Sequence, residues 1–498
     1  MERYIALVET LFLPILLFSP GGFAGLSPNT VEGTLDSEQN QCIEYDSSQK
    51  LIQIKCDSIH LTDIYNILSN PSVLSIEGDG ENQAKVWILN ADIVVDKGSS
   101  LIIDSSDTSW LKIMATPTIQ IKKPANVTEV TNYSDDTLTV IQSTNKPNAS
   151  STNNITKIEN GTITVSKHNG DNPNGIHVHG SLKIDSVKIT SWDPEKNDVI
   201  KFDHGKRPGE EHTKSDYDTA EPRAFIRVSK DATGTTNITN SEIAYLGYSC
   251  SRCAGLSYYG GEGSVIKNND IHHLLKGFYS KAMGHMVIED SKFHDNYLYG
   301  IDPHTRSHDI IIRNNKVYDN NASGIICSKD CYNILIEGNE VYKNGGVGRG
   351  IAFSINTTNS IARNNDVHSN ERCISFNRES NHNQVYNNTI SNCDVGIYLS
   401  NTSKNSIYNN NIVQSKHGIV IKEEITNNLT NNVIDMTGTG ITLITENITN
   451  SSFTPNFHNQ TEVARYLDLL RSTNKLLDVS DPIVTETRDL KGLKDLLK

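Results

Sequence analysis

From about residue 246 onward, apolar residues fall at fixed places between runs of Asn, Asp and Lys. Aligned on the phrase Asn-Asn-x-Ile/Val, the apolar residue recurs at Ile271, Phe293, Val317, Val341, Val367, Ile390, Ile412 and Ile434, 22 to 26 residues apart. A second phrase, glycine followed by an apolar residue, keeps the same beat at Gly255, Gly277, Gly300, Gly324, Gly350, Gly396, Gly418 and Gly440, with Cys373 standing in once. A period of this length marks a solenoid, and each coil is expected to carry two strand-like pieces separated by turns. After the glycine the pattern alternates, as in Gly350-Ile351-Ala352-Phe353-Ser354. The first and third residues should therefore point inward and the second and fourth outward. No sustained helical spacing appears, and Asn and Gly are poor helix formers. The expected fold is all-β, a right-handed parallel β-helix whose repeated Asn positions suit ladders of side-chain amides along the axis.

The edges of the repeat divide the chain. Residues 1–24, Met1-Glu2-Arg3 followed by an apolar run and a small-residue end, resemble a secretory signal, although Glu9 interrupts the run. Residues 25–90 read as an N-terminal cap and 91–450 as the solenoid body. Residues 126–156, rich in Thr, Asn and Ser, read as a flexible insertion. In 451–498, Val463, Tyr466, Leu467 and Leu470 recur at helical spacing, so a C-terminal helical cap or tail is expected to cover the open end. After removal of the signal, no run is long enough to span a bilayer.

An even set of eight cysteines fits an oxidising compartment. Cys42 with Cys56, Cys327 with Cys331, and Cys373 with Cys393 are plausible local pairs, and Cys250-Ser251-Arg252-Cys253 reads as a structural disulfide or free thiols rather than a metal site. Sequons such as Asn126-Val127-Thr128, Asn237-Ile238-Thr239, Asn356-Thr357-Thr358 and Asn401-Thr402-Ser403 agree with export. The reading is a secreted, extracellular or cell-envelope protein, glycosylated and monomeric. A formal charge of −14 argues against a nucleic-acid partner.

Because coils stack about 4.8 Å apart, the outward positions can be written as a surface column. It runs Ser257 and Tyr259, Tyr279 and Lys281, Asp302 and His304, Ile326 and Ser328, Ala352 and Ser354, Ser375 and Asn377. Lys329 and Arg378 lie one step beyond, and Tyr299 just before its glycine. Around His304 this gathers an imidazole that titrates near neutrality, a carboxylate, phenols and cations. Such a set suits removal of a proton from carbon next to a carboxylate, whose charge the cations would cancel. Pro303 breaks the strand rule at this point, since proline is unwelcome inside a paired strand.

The string Tyr299-Gly300-Ile301-Asp302-Pro303-His304, continuing through Arg306-Ser307-His308 and Ile310-Ile311-Ile312, closely resembles mannuronan C5-epimerases of alginate biosynthesis, most of all the periplasmic bacterial type. The resemblance covers residues 246–344 well and the remaining coils only as repeat architecture. It implies a β-helix groove that binds an acidic polysaccharide and converts β-D-mannuronate to α-L-guluronate within the polymer. On that resemblance His304 is the base that takes the C5 proton, Asp302 holds its ring or lines the groove, and Tyr299 matches a tyrosine assigned to proton transfer in the secreted calcium-dependent relatives, a water being the alternative donor in the periplasmic type. Lys329 takes the place of the carboxylate-neutralising arginine, without its two-pronged grip. Thr305 stands where the family carries an acid. Tyr259, Tyr279, Lys276, Lys281, Arg306, Asn377 and Arg378 are the expected substrate-binding residues.

Two other readings use the same residues. A polyuronate lyase begins with the same proton abstraction and then expels the C4 substituent, and a non-catalytic β-helix would only bind glycans. No cofactor is required by the chemistry. The calcium-binding nonapeptide and zinc-type ligand clusters are absent from the sequence, so no metal is assigned; Ca2+ at scattered Asp and Asn oxygens is compatible but not indicated.

Overall fold

A computed structural model describes residues 42–78, 85–115, 173–201, 222–248, 253–345, 348–422 and 426–435, together with the backbone of five further strands at 119–122, 154–159, 162–166, 439–443 and 452–456. The described chain is a parallel β-helix. One face is a sheet of thirteen strands in parallel register, from Leu51–Ile54 through Ile301–His304 to Thr439–Leu443, with the antiparallel strand Ile43–Asp46 added at its start. The other two faces merge into a second large sheet, also built mostly by pairing each strand with its counterpart one coil away.

Each of the central coils thus has three strands rather than two. In the coil of His304 they are Ile301–His304, His308–Arg313 and Lys316–Tyr318. The second and third are separated only by Asn314 and Asn315. Asn314 adopts a left-handed conformation (φ 56°) and Asn315 turns its amide inward, and so compact a corner cannot be told from an ordinary polar interruption by sequence pattern.

The inward residues form one continuous apolar column. Ile271, Phe293, Val317, Val341, Val367, Ile390 and Ile412 are fully buried, as are Ile301, Ile325, Ile351, Ile374 and Ile397. Gly300 holds its place by size: a Cβ there would lie 2.6 Å from Val317 Cγ1 and 2.7 Å from the Gly324 carbonyl oxygen. At the corners the expected amide ladders form. Asn315, Asn339, Asn365, Asn388, Asn410 and Asn432 are linked amide to amide at 2.9–3.0 Å. Each of the first five also accepts or passes on a backbone N–H bond, and Asn339 Nδ2 donates to the Ile312 carbonyl. These buried corner groups would otherwise have no water to bond.

Outside the solenoid, rings stack in step with the coils. His272, His294, Tyr318, Tyr342 and His368 lie centroid to centroid at 4.8–5.0 Å, which measures the coil spacing directly. Asp270 and Asp295 flank His294 and hold it protonated up to about 9, although burial opposes this.

At the N-terminal end a short helix, Leu61–Leu68, buries Leu61 and Ile64 against the first coil, and Tyr65 meets Trp87 at 5.6 Å. The Leu51–Ile54 strand already pairs in parallel with Asp92–Val95, so the region before residue 91 contributes strands to the solenoid as well as covering it. Cys42–Cys56 and Cys373–Cys393 are disulfides, and Cys253 is disulfide-bonded to a partner outside the described residues. Cys327 and Cys331 are instead buried free thiols. Cys327 occupies an inward strand position in the core, while the Cys331 thiol donates to the Pro303 carbonyl at 3.4 Å. The signal, most of the insertion and the C-terminal helix fall outside the described residues. Among the described residues no helix is long and apolar enough to cross a membrane.

Candidate active site

The strand Ile301–His304 sits mid-solenoid and positions the motif. It keeps full register with the preceding coil, Tyr279 beside Asp302, Ser280 beside Pro303 and Lys281 beside His304. Toward the following coil only Ile301–Ile325 and His304–Ser328 remain registered. Pro303 supplies no N–H, so the ladder opens at that point.

Asp302 and His304 both face outward, as the alternation requires, but Asp302 is fully buried. The outward position is the floor of a groove, which period-two reasoning alone does not reveal. Ser257, Asp302, Ala352 and Ser375 on this floor have no exposed surface and Ile326 only 5%. Lys276, from the strand one coil earlier, reaches over the Tyr279 ring (4.3 Å to its centroid) and donates to Asp302 Oδ2 at 2.9 Å. Asp302 Oδ1 has no hydrogen-bond partner. The carboxylate therefore does not grip the imidazole.

Thr305 takes that part: its hydroxyl oxygen lies 2.5 Å from His304 Nδ1. This hydrogen bond leaves Nε2 as the ring nitrogen available to a substrate. Burial pushes the His304 imidazole below its ordinary range, and Lys276, Lys281 and Lys329 push in the same direction, while Asp302 opposes them. A neutral imidazole at neutral pH is the result, as a general base needs. The His304 ring is packed 5.5 Å from that of Tyr279, which in turn lies 6.0 Å from Tyr259.

Tyr299 precedes Gly300, just before the strand that carries His304. Its ring is 5.3 Å from Lys276 Nζ. Burial and the Asp302 charge raise its phenol above the ordinary value, against the pull of Arg349, so it carries its proton at neutral pH.

Lys329 follows Ser328 in the next coil, at a left-handed turn residue (φ 65°), close enough for its charge to act on His304. Lys281 is in register with His304, and exposed Arg306 lies on the turn after Thr305. Asn377 and Arg378 lie three coils further along the same edge; Asn377 Nδ2 is buried without a partner. Among the described residues no carboxylate pairs with Lys281, Arg306, Lys329, Arg349 or Arg378. On the other faces several cations are matched: Lys267 and Arg313 with Glu289, Lys316 with Glu340, and Arg363 with Glu337. In a chain of charge −14, these five cations of the His304 face and its edge stand without a carboxylate among the described residues.

The column just before each glycine was not singled out in the sequence beyond Lys276 and Tyr299. It continues through Ser323 to Arg349 and Arg372, which share the groove. Writing that column beside the outward one would have found both arginines.

For metals, His285, His308 and Asp309 bring ligand atoms within 4.8 Å of one another on the neighbouring face, where Asp309 Oδ2 bonds His308 Nδ1 at 2.7 Å. This cluster lies outside the groove-lining set.

Comparison with known proteins agrees with this architecture. The family model described as periplasmic copper-binding protein (NosD) matches residues 232–417 and 350–468. The mannuronan C5-epimerase of Pseudomonas putida is 27% identical over 145 residues, covering 26% of this chain and 25% of that protein. That of Pseudomonas aeruginosa is 28% identical over 144 residues, covering 26% and 24%. The chain thus matches about a quarter of the length of these curated relatives. Among solved structures, the crystal structure of the periplasmic alginate epimerase AlgG superposes with a TM-score of 0.60 at 18% identity, over 82% of this chain and 85% of that one. The β-helix fold and the resemblance read from the Tyr299–His308 motif are both borne out.

Proposed function

We propose that this chain is a polysaccharide C5-epimerase acting on a polyuronate, with alginate-type mannuronan as the first candidate substrate and an exported setting for the reaction. The observation that carries the reading is His304: a half-buried imidazole held neutral and anchored at Nδ1, with Lys281 and Lys329 beside it unmatched by any carboxylate among the described residues.

The C5 proton of a uronate is acidic only when the charge on its carboxylate is cancelled. With that carboxylate near Lys329 or Lys281, His304 Nε2 takes the C5 proton and the electron pair spreads into the carboxylate. Cations already in place stabilise that charge without reorganising. A proton delivered to the opposite face of C5 completes the inversion. In this reading Tyr299, which is protonated and lies 5.3 Å from Lys276 Nζ, gives it, and proton return from His304 to Tyr299 through solvent restores both groups. Asp302 acts by fixing Lys276, and its unpartnered Oδ1 is available to a sugar hydroxyl.

The reading is tested by proton NMR of poly-mannuronate incubated with the protein in deuterated water, wild type against His304→Ala. Guluronate signals with deuterium at C5, absent in the variant, support it. Unsaturated chain ends would mean β-elimination and a lyase, whereas an unchanged polymer that still binds would mean a glycan-binding β-helix.

A further inference from the structure

Arg349 and Arg372 occupy the same position on adjacent coils and are in direct register. Side by side along the groove wall, two guanidiniums repel each other, and both are drawn partly or fully out of water. Arg372 is 6% exposed and lies on the Tyr398 ring at 4.2 Å. Arg349 Nε has no exposed surface and no hydrogen-bond partner. Glu371 lies 3.8 Å from Arg372 Nε, while among the described residues no carboxylate pairs with Arg349 or Arg378. Ser375 Oγ and Asn377 Nδ2, on the same stretch of floor and edge, are likewise buried and unpartnered. Orphaned buried polar atoms beside like-charged, desolvated cations are costly. An anion bonded by the guanidiniums and the two side chains would remove that cost.

We infer that Arg349, together with Arg372, Ser375 and Asn377, forms a distal carboxylate subsite that holds a uronate of the same polymer beyond the reacting sugar. The inference rests on the proposed polyuronate substrate. Arg349 lies two coils and Arg372 three coils past His304, roughly 10 to 14 Å along the axis at ~4.8 Å per coil. A 1→4-linked pyranose advances the chain by a distance of the same order as one coil. The subsite therefore takes the second or third uronate from the reacting one, always on the side of the later coils. It makes affinity depend on chain length in one direction. The planar fork of arginine suits a ring carboxylate approached edge-on. Tyr398, beneath Arg372, keeps that fork flat against the floor.

The test measures binding and KM for purified oligomannuronates of increasing length, from dimer to about hexamer, with wild type, Arg349→Gln and Arg349→Lys. In the wild type the affinity is expected to rise steeply once the oligomer reaches the subsite. In Arg349→Gln that rise should shrink about tenfold or more, the scale of a lost charge-assisted hydrogen bond, and Arg349→Lys should recover part of it. A length profile identical in wild type and Arg349→Gln overturns the subsite while leaving the epimerase reading intact. If the wild type binds neither mannuronate oligomers nor other polyuronates, the proposed function itself fails and the subsite with it. Circular dichroism and thermal melts of both variants separate a lost contact from a lost fold.

Discussion

Asp302 and His304 point into the same groove from one strand, two residues apart, yet each is held by a different neighbour. Lys276 Nζ bonds the carboxylate at 2.9 Å and the Thr305 hydroxyl meets imidazole Nδ1 at 2.5 Å. The pair works as two separate devices: a buried ion pair that shapes the floor, and an imidazole anchored from behind.

Replacing Thr305 by Val keeps the shape and removes the anchor. The imidazole then loses its fixed orientation, and kcat is expected to fall about tenfold, in the range of a general base that is misdirected rather than removed. KM should change less than kcat. Steady-state kinetics on poly-mannuronate decide this, and an unchanged kcat would return the orienting role to another group.

Burial and three lysines hold His304 below its ordinary value of 6.5. The base must be unprotonated, so the acid limb of kcat/KM should lie below pH 6.5 and activity should persist in mildly acidic solution. Lys329→Met removes one of the depressing charges. Its acid limb should move upward in pH, in addition to any loss of rate from weaker carboxylate neutralisation. A pH–rate profile that stays in place in the variant would show that Lys329 does not act on His304.

Lys276→Met leaves a fully buried carboxylate without its ion partner. Breaking one side of a buried pair costs about 3 kcal/mol or more, so chemical denaturation should show a large loss of stability. Adding Asp302→Asn to that variant should recover part of it. If the double variant is no more stable than Lys276→Met alone, the loss does not come from the stranded carboxylate.

In the amide ladder, Asn339 receives bonds from Asn315 and gives them to Asn365 and the Ile312 carbonyl. Asn339→Ala strands buried groups on both neighbouring coils and should cost about 2 kcal/mol or more. An equilibrium urea titration checks it. A cost well under 1 kcal/mol would mean that water enters the corner and replaces the amide.

By itself the sequence determined the solenoid, because its signal is redundant. Ile271, Phe293, Val317 and the later members of their column repeat one instruction many times, and the glycine column repeats another, so a local error cannot shift the whole. It also determined which residues share a coil and which face outward, since strand alternation is a property of the backbone. The Tyr299–His308 string singled out one coil for the candidate chemistry.

Only the tertiary structure decided what each outward residue meets. Burial of Asp302, its pairing with Lys276 and the anchoring of His304 by Thr305 depend on reach across coils and around a left-handed turn, which no linear spacing encodes. The third strand of each coil was hidden because a compact corner such as Asn314-Asn315 reads as one more polar interruption. The expected Cys327–Cys331 pair gave way because an inward strand position and the following turn commit the two thiols to separate places, one in the core and one on the Pro303 carbonyl. Arg349 and Arg372 are 23 residues apart in the chain; the sequence column before each glycine aligns them, but their burial and the stacking of Arg372 on Tyr398 are properties of the folded coils.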